Sequence, residues 1–385
     1  MKEVRFGIIG IGNMGGPHMG FVKETPGAKL TAICDIDREK ADKNAEKAGV
    51  KAYYNSSDLI KSGDVDAVII ATPHFDHTTI AIEAFKNGIH VLTEKPVAVH
   101  KADAVRMIEA HNKRKDLLFG IMFQQRTDGM YMKLKELLSS GEFGEVRRIN
   151  WIITNWFRSQ RYYDSGGWRA TWRGEGGGVL FNQCPHNLDL FQWFFGMPSK
   201  VRAFCDLGKY HKIEVEDNVT AYCEYPNGAS AVFITTTGDA PGTNRLEITC
   251  ERGRVLVENG KILFNRLEVP LSKYCMTTDK QFEGPACWNV DIPYRAQGAT
   301  HQRIIEAFTK AALHGDKLIV RGEEGLNSIE LANAMILSSM KGKTVDLPLN
   351  AAEYAKLLNG LIKTSKYKKE VKKGDADFAA SFNKK

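Results

Sequence analysis

Apolar and polar stretches alternate regularly over the first third of the chain. Short apolar runs with the length of β-strands occupy residues 4–9, 30–34, 68–71, 90–93 and 117–121. Between them lie stretches rich in Ala, Lys and Glu, such as residues 38–48 and 102–114, which have the composition of helices. Buried strands separated by helices are typical of a parallel sheet covered by helices on both faces. The pattern predicts an α/β domain with a doubly wound parallel sheet over residues 1–125.

From about residue 126 the pattern changes to successive strands with few helices between them. Strand-like runs fall at residues 146–156, 201–207, 219–225, 230–236, 246–250 and 255–257, and Pro226-Asn227-Gly228 and Asn259-Gly260 favour hairpin turns. This predicts an α+β domain over residues 126–365, built on an open, mainly antiparallel sheet. Because few helices are available to cover that sheet, we expect one face to be buried against another subunit.

Three further parts of the chain complete the predicted organisation. Helical patterns return at residues 302–313, 322–340 and 351–364. Residues 266–299 have few periodic apolar positions, so we expect a long loop that carries function or covers a site. Residues 366–385 are predicted to form a separate, solvated Lys-rich tail.

Composition and charge exclude several classes of function. The 385 residues have a formal net charge of +7, but residues 361–385 hold eight lysines against three acidic residues, so the remainder is nearly neutral. A nucleic-acid-binding face is therefore not expected, and no apolar run approaches the roughly 20 residues of a membrane span. Seven widely spaced cysteines without a CxxC pair favour neither a disulfide framework nor a zinc site. We expect a reduced, cytoplasmic protein without a bound metal.

The segment Gly10-Ile11-Gly12-Asn13-Met14-Gly15 follows the first strand and opens a helix, which is the context that makes a GxGxxG motif informative. Gly10 permits a tight turn, Gly12 lets the backbone approach a pyrophosphate, and Gly15 allows close packing of helix and strand. The helix N-terminus adds partial positive charge and free N–H groups. The motif predicts a dinucleotide site that includes Asn13 and Met14.

Asp35 ends the second strand twenty residues after Gly15, where a carboxylate accepts hydrogen bonds from the hydroxyls of the adenosine ribose. A carboxylate there repels a 2′-phosphate, so NAD is favoured over NADP. Arg38 is close enough in the sequence to weaken that preference.

Two later strands end in residues with useful chemistry. Ligands of a doubly wound sheet bind outside the carboxyl ends of its strands, and Thr72-Pro73-His74-Phe75-Asp76-His77 and Glu94-Lys95-Pro96 leave two such ends. Pro96 keeps Lys95 extended, with a cis Lys–Pro bond as an option, and so directs an ammonium to the crevice. A solvated surface lysine is the simpler alternative, and the two histidines suit cap and packing roles. The residues expected to contact the cofactor here are Thr72, Pro73, His77, Glu94 and Lys95.

A second informative stretch begins at the glycine run 176–178. Pro185 suits the first position of a helix that runs to Phe195 and ends at Gly196. His186 then lies in the first turn, and Asp189, three residues later, shares its face and can orient the imidazole. A purely structural histidine is the alternative.

Aromatic and arginine residues are concentrated just before this glycine run, in residues 156–158, 161–164 and 168–173. They have no helical period, and forked guanidinium donors and flat aromatic faces suit the hydroxyl and C–H groups of sugars. A loop that lines a substrate larger than a triose is expected, with a set of core aromatics as the alternative. The substrate-binding residues expected from this stretch are Arg158, Trp172 and Arg173.

In this order and spacing, the motifs GIGNMG, ATPHFDH, EKP and GGG followed by a helix with His and Asp resemble the Gfo/Idh/MocA family of nicotinamide-dependent oxidoreductases. The resemblance covers most of the chain. It implies a Rossmann domain, a C-terminal domain with an open sheet, and a homodimer or homotetramer formed through that sheet. It also implies oxidation or reduction of a secondary carbinol in a sugar, cyclitol or related polyol, with Lys95 and His186 as catalytic residues.

One departure from the family pattern is Asn182, since many members have Asp at this position, four residues before the histidine. Asn can exchange hydrogen bonds with a sugar hydroxyl, so we keep Asn182 and Asp189 as substrate-binding residues. It cannot remove a proton, however, and the base role is therefore expected to fall on His186.

Ordinary pKa values support the same division of roles. The pKa of histidine is about 6.5 and that of lysine about 10.4. Lysine would need a downward pKa shift of about three units, or roughly 4 kcal/mol, to serve as the base. We therefore expect His186 to be the general base and Lys95 to stabilise the alkoxide.

The leading hypothesis is an NAD-dependent dehydrogenase of a sugar, cyclitol or glycoside, with C3 of a glycoside as the first candidate position. One alternative is a glycosidase or lyase that oxidises its substrate transiently and cleaves it by β-elimination, without net redox change. The other is a non-catalytic NAD-binding sensor.

Overall fold

The computed structural model describes residues 2–365, which form two sheets surrounded by helices. Met1 and the predicted Lys-rich tail at residues 366–385 lie outside the described residues.

The first sheet has six parallel strands in the order β3-β2-β1-β4-β5-β6, so the predicted doubly wound Rossmann sheet is confirmed. The short edge strand β3 was not predicted, because its three residues carry no apolar run. The strands are β1 (Val4–Ile9), β2 (Ala28–Cys34), β3 (Lys51–Tyr53), β4 (Ala67–Ile70), β5 (His90–Thr93) and β6 (Phe119–Ile121).

Five helices connect these strands, and their ends follow from local capping. Asp37 accepts a hydrogen bond from the Lys40 N–H and Asn55 accepts one from the Ser57 N–H, which fixes the starts of α2 and α3. The helices are α1 (Gly15–Glu24), α2 (Arg38–Ala48), α3 (Ser56–Lys61), α4 (Asp76–Lys86) and α5 (Lys101–Asn112). The central strand β4 is buried along its whole length, as expected for a strand covered on both faces.

The second sheet has nine strands in the order β14-β13-β12-β11-β7-β10-β9-β8-β15. Among the described strand pairs of this second sheet, only β7–β10 is parallel, so the prediction of a mainly antiparallel sheet is confirmed. The strands are β7 (Val146–Ile153), β8 (Lys200–Leu207), β9 (Glu216–Glu224), β10 (Ser230–Thr236), β11 (Asn244–Cys250), β12 (Gly253–Glu258), β13 (Lys261–Leu267), β14 (Cys287–Asp291) and β15 (Val345–Asp346).

Helices cover one face of the second sheet and also return to the first. The second set of helices is α6 (Gly129–Ser139), α7 (Gln160–Asp164), α8 (Pro185–Phe195), α9 (Leu271–Thr277), α10 (His301–His314), α11 (Gly325–Lys341) and α12 (Ala351–Thr364). Phe191 of α8 packs on Phe233 of β10, and α11 packs on β8. Because α10 packs on α1 and α12 packs on α5, the domain boundary near residue 125 stays a prediction.

The segment at residues 266–299 differs from its prediction. It contains the end of β13, then α9 and the edge strand β14, and most of its side chains are exposed. The prediction of a long loop over these residues is therefore wrong. The sequence did not reveal the helix and the strand because neither has a buried face, and an element without one carries no clear apolar periodicity.

Two general expectations can be compared with the described residues. All seven cysteines have free thiols. Within residues 2–365, no helix combines the length and the apolar character that crossing a bilayer requires.

Candidate active site

The loop between β1 and α1 has the geometry of a phosphate cradle. Gly10 has a φ of +88°, and a Cβ there would lie 2.8 Å from the carbonyl oxygen of Ala71. A Cβ on Gly15 would lie 1.8 Å from the carbonyl oxygen of Gly10, so helix and strand touch through the glycine. Gly12 has open space around its Cβ direction, and the first turn of α1 has no acidic residue. The loop therefore leaves room, free N–H groups and positive helix-end potential for a pyrophosphate.

Asp35 stands beside this loop and is held by three donors. Its carboxylate accepts hydrogen bonds from the Ile11 N–H at 2.8 Å, the Asp37 N–H at 3.0 Å and the Lys40 ammonium at 2.9 Å. Burial opposes ionisation, but these donors lower the pKa of Asp35 overall. Asp35 is therefore a fixed, ionised acceptor at the position predicted to bind ribose hydroxyls.

The structure also shows which neighbours of Asp35 the sequence did not identify. Lys40, rather than Arg38, is its cationic partner, because the Arg38 guanidinium lies 4.4 Å from the ring centroid of Tyr54. Ile36 is 91% exposed although it is strongly apolar. Ile36 follows Asp35 directly, and this position is the only feature of the sequence that marks its side chain as a candidate contact for the adenine ring of a dinucleotide.

The segment after β4 is tied to the segment after β5 by His77. This ring is fully buried, with its Nδ1 2.9 Å from the carbonyl oxygen of Pro96 and its Nε2 3.0 Å from that of Thr72. Burial lowers the pKa of His77. The imidazole thus positions Thr72 and Pro73 next to the Lys95 loop, and a direct contact of His77 with a cofactor stays a prediction. The buried Thr72 Oγ1 has no hydrogen-bond partner within residues 2–365.

Lys95 contacts the segment that leads from the glycine run to α8. The Lys95–Pro96 peptide bond is cis, and the Lys95 Nζ donates to the carbonyl oxygen of Asn182 at 2.8 Å. Burial lowers the pKa of Lys95, while the carboxylates of Glu94 and Glu175 oppose that shift. Lys95 is therefore a positioned ammonium with a weakened hold on its proton.

Glu94 is held by His18, a residue that no motif in the sequence identified. The His18 Nε2 lies 2.7 Å from the Glu94 Oε1, and the Lys95 N–H donates to the Glu94 Oε2 at 3.2 Å. Burial disfavours the carboxylate, but His18 and nearby cations lower the pKa of Glu94 strongly. His301 of α10 packs against His18, and burial lowers its pKa to about 4. Glu94 thus connects α1 to the segment that carries Lys95. Its contact with a cofactor stays a prediction.

His186 occupies the first turn of α8, which begins at Pro185 and ends at Phe195 as predicted. Its ring packs edge-on to Phe123, and its Nε2 lies 3.4 Å from the Gln124 Nε2. Burial and the Lys95 charge hold the pKa of His186 well below its ordinary value. The His186 Nδ1 is buried without a hydrogen-bond partner among the described residues. The imidazole is therefore neutral at physiological pH and lies within electrostatic reach of Lys95, and the orientation of the Gln124 amide decides which of its two nitrogens carries the hydrogen.

Asp189 does not orient His186, so that prediction is wrong. Its carboxylate accepts hydrogen bonds from the Arg126 Nε at 2.8 Å and Nη2 at 2.6 Å, and it has no exposed surface. Arg126 also donates to Glu324 at 2.6 Å. Asp189 therefore anchors α8 to the 3-10 helix at residues 124–127 and cannot reach a substrate as it stands. Gln124 of the same 3-10 helix is the polar neighbour of His186 instead.

The aromatic and arginine stretch divides between core and site. Trp172 is only 3% exposed and lies in the hydrophobic core, so the prediction that it binds substrate is not supported. Arg173 is exposed and Arg158 is half-buried. The side chains at Asn182 are instead those of Tyr162, which donates to the Asn182 Oδ1 at 3.2 Å, and Arg169, which donates to the Tyr162 hydroxyl at 2.8 Å. Both belong to the predicted stretch, but its irregular pattern did not single them out.

Two family models match the chain. The model described as an oxidoreductase family with an NAD-binding Rossmann fold matches residues 4–121, and the model of the GFO/IDH/MocA C-terminal domain matches residues 131–256.

Curated relatives and solved structures point in the same direction. The chain is 32% identical over 195 residues to an inositol 2-dehydrogenase of Rubrobacter xylanophilus, covering 50% of this chain and 52% of that protein. It is 25% identical over 354 residues to a myo-inositol 2-dehydrogenase of Thermotoga maritima, covering 89% and 98%. Several of the inositol 2-dehydrogenases that the chain resembles, including the one from Rubrobacter xylanophilus, are matched over only about half of their length. The WlbA dehydrogenase of Chromobacterium violaceum, solved with NADH and UDP-GlcNAcA, superposes with a TM-score of 0.78 at 30% identity, covering 91% of this chain and 97% of that one.

Proposed function

Because the chain belongs to the GFO/IDH/MocA family of NAD-binding oxidoreductases, we propose that it catalyses the reversible oxidation of a secondary hydroxyl on a sugar, glycoside or cyclitol. The observation that carries this proposal is that Lys95 and His186, which come from distant parts of the chain, lie within electrostatic reach of each other. Lys95 follows β5 at the carboxyl edge of the first sheet, where ligands of this fold bind, and its ammonium binds the carbonyl oxygen of Asn182, four residues before His186.

NAD is the cofactor, and the described residues fit it. The phosphate cradle of Gly10, Gly12 and Gly15 would hold the pyrophosphate, and Asp35 would hold the adenosine ribose. Asn13 and Met14 complete the cradle, and the buried, unpartnered Thr72 Oγ1 marks a polar contact for the remainder of the dinucleotide. When bound, NAD supplies the hydride acceptor of the oxidation.

His186 serves as the general base and Lys95 as the cation at the reacting oxygen. The neutral His186 can receive the hydroxyl proton at its bare ring nitrogen, which is Nδ1 when the Gln124 amide is turned so that its unpartnered Oε1 accepts from the Nε2–H. Lys95 lies close enough for its charge to act on that imidazole, so its ammonium can stabilise the developing alkoxide. The same groups in reverse return a proton to the alkoxide when a ketone is reduced.

A sugar-like substrate is supported by the surroundings of Asn182. Tyr162, Arg169 and Asn182 form one hydrogen-bonded polar network, and the guanidinium groups of Arg158 and Arg169 lie 5.1 and 4.7 Å from the centroid of the Tyr162 ring. Such groups suit a ring with several hydroxyls. We favour a glycoside oxidised at one ring carbon, with C3 as the first position to examine.

A panel of hexoses, glycosides and inositols with NAD tests the proposal by absorbance of reduced nicotinamide. Stoichiometric NADH from at least one member is expected. Cleavage of a glycoside without added NAD and without accumulated NADH would replace this proposal with the glycosidase or lyase reaction. No turnover of any kind, together with NAD binding, would favour the sensor.

Two glycine variants of the phosphate cradle test cofactor binding. Gly12→Ala is expected to fold like the original protein, because the added methyl group meets no protein atom within 4 Å. It should nevertheless weaken NAD binding by about tenfold or more, or about 1.4 kcal/mol, since it fills the space that the pyrophosphate needs. Titration of NADH fluorescence and thermal melting measure the two effects. Gly15→Ala is the contrast, because its methyl group would clash with Gly10 and lower the melting temperature; unchanged NADH affinity in Gly12→Ala would contradict the cradle.

We also infer that the chain self-associates as a dimer or tetramer through the outer face of the second sheet. Side chains alternate between buried and exposed along β8, β9 and β10, and no described element covers the exposed set. That set includes Phe204 and Tyr222, which are 59% and 45% exposed. Large exposed apolar patches mark interaction surfaces.

Charge on this face is expected to dissociate the oligomer. Phe204→Glu combined with Tyr222→Glu should give a monomer by size-exclusion chromatography with light scattering, because like charges would oppose each other across a two-fold interface. Met132→Glu places the same charge at another exposed apolar residue, on α6, and should leave the mass unchanged. A double variant with the mass of the original assembly would exclude this face as the interface.

A further inference from the structure

Asn182 is held between a carboxylate and a hydroxyl. Its Nδ2 donates to the Glu175 Oε1, and its Oδ1 accepts from the Tyr162 hydroxyl at 3.2 Å. A carboxylate can only accept in this contact, so the amide nitrogen must face Glu175 and the amide oxygen must face Tyr162. The orientation of the Asn182 side chain is therefore set by Glu175.

Glu175 is itself fixed and buried. It is 2% exposed, and its second carboxylate oxygen accepts the N–H of Ala170. Its backbone carbonyl oxygen lies 3.2 Å from the His74 Nδ1. Because both of its oxygens accept from N–H groups, the Glu175 carboxylate is held in one direction.

The negative charge of Glu175 acts on Lys95. The Lys95 Nζ binds the carbonyl oxygen of the same Asn182, and burial lowers the pKa of Lys95 while Glu94 and Glu175 raise it. Glu94 is already paired with His18. The other charged or titratable groups whose interaction with Lys95 is evident in the described residues are Arg158, Arg169, His74, His186 and His301.

We propose that Glu175 is the positioning carboxylate of this site, which orients Asn182 next to the Lys95 ammonium and supplies the negative charge that the amide at position 182 does not. The inference rests on the proposed function and names a further residue of that same site. It explains why position 182 carries an amide. An aspartate there would stand directly against Glu175, and two adjacent carboxylates cannot both ionise without a large penalty.

Exchanging the two groups tests the proposal. The variants are Glu175→Gln, Asn182→Asp and the double variant Glu175→Gln/Asn182→Asp, each studied with bound NADH for stability and with the substrate found in the panel for kinetics. Glu175→Gln leaves two amides and no carboxylate, whereas Asn182→Asp leaves two carboxylates. The double variant restores one amide and one carboxylate in reversed order, with Tyr162 still able to donate to position 182.

Both single variants are expected to lose about tenfold or more in kcat/KM. The double variant is expected to regain about tenfold relative to Glu175→Gln, because the two positions belong to one hydrogen-bonded network and their effects are coupled. In Glu175→Gln the alkaline limb of the pH–rate profile should move to lower pH by about one unit, because Lys95 loses a stabilising charge. A double variant no better than Glu175→Gln, or an alkaline limb that does not move, would overturn the proposal.

Glu330→Gln is the matched control. Glu330 is also buried, and it binds Lys101 at 2.8 Å and the Leu349 N–H, but it is not among the charges acting on Lys95. This variant should lower the melting temperature without moving the alkaline limb. A limb that moves equally in Glu330→Gln would assign the effect to general loosening of the fold and count against Glu175.

The stability measurements separate this inference from the proposed function. If no polyol in the panel gives NADH, the proposed function fails, but the melting temperatures of the four proteins still report on positions 175 and 182. Recovery of the melting temperature in the double variant supports the pairing of one carboxylate with one amide. Strictly additive losses overturn it.

Discussion

Replacing His186 with alanine is expected to lower kcat by about 10²- to 10⁴-fold, the usual contribution of a positioned general base, while NADH still binds. The imidazole is buried, is kept neutral by its surroundings, and lies within electrostatic reach of Lys95. The phosphate cradle lies in a separate element, so cofactor binding does not depend on this ring. Steady-state kinetics at neutral pH and titration of NADH fluorescence measure the two quantities.

His111→Gln is the matched control, because His111 lies on α5 and hydrogen-bonds the carbonyl oxygen of Leu117, outside the proposed catalytic site. It should retain full turnover. Near-normal turnover of His186→Ala would transfer the base role to Lys95, whose pKa is also lowered by burial. Lys95→Met would then lose both the turnover and the corresponding limb of the pH–rate profile.

The parts of the site that depend on local sequence were predictable. The glycine loop, Asp35 and the helix that carries His186 each depend on residues within one strand–turn–helix unit, where turn and cap chemistry can be read directly. The contact of Lys95 with the segment around Asn182 was predictable only on one side. The strands of a doubly wound sheet point their carboxyl ends to the same edge, which places Lys95 at the ligand crevice, but Asn182 lies outside that sheet and its topology does not bring the two together.

The polar partners of these residues could not be predicted, because they come from distant parts of the chain. Arg126 and Asp189 are 63 residues apart, and His18 and Glu94 are 76 residues apart. A buried charge requires a partner, but nothing in its own segment says which one the fold will bring. Asp189 shares a helix face with His186 and was therefore assigned to it, whereas the buried guanidinium of Arg126 is the stronger partner.

Glu216 is a second buried group that left no signal in the sequence. It opens β9 and is fully buried, and its Oε1 accepts hydrogen bonds from the N–H groups of Gly178 and Leu180 at 2.8 and 3.1 Å. A Cβ on Gly178 would lie 2.0 Å from the carbonyl oxygen of Glu216, so the glycine run packs directly on this strand. Glu216 therefore braces the segment that leads to Asn182 and His186.

Burial raises the pKa of Glu216 to about 8, against an ordinary value of 4.5. Its Oε2 has no hydrogen-bond partner within residues 2–365, so no donor stabilises a negative charge on that oxygen. Between pH 4.5 and pH 8 the folded state holds this proton while the unfolded state releases it, so the free energy of unfolding falls as the pH rises. At 1.36 kcal/mol per pKa unit the loss amounts to about 5 kcal/mol across that window, and it is constant above pH 8.

Glu216→Gln is expected to remove this pH dependence. The amide oxygen can still accept from Gly178 and Leu180, and an amide cannot ionise, so the variant should be close to the original protein at pH 5 and more stable by several kcal/mol at pH 8.5. Denaturant unfolding of both proteins from pH 5 to pH 9 gives the difference between their free energies of unfolding. The contributions of titratable groups that both proteins share cancel in this difference. A difference that stays constant from pH 5 to pH 8 would mean that Glu216 is ionised in the folded protein, and that the glycine run is braced by a charge instead of a neutral acid.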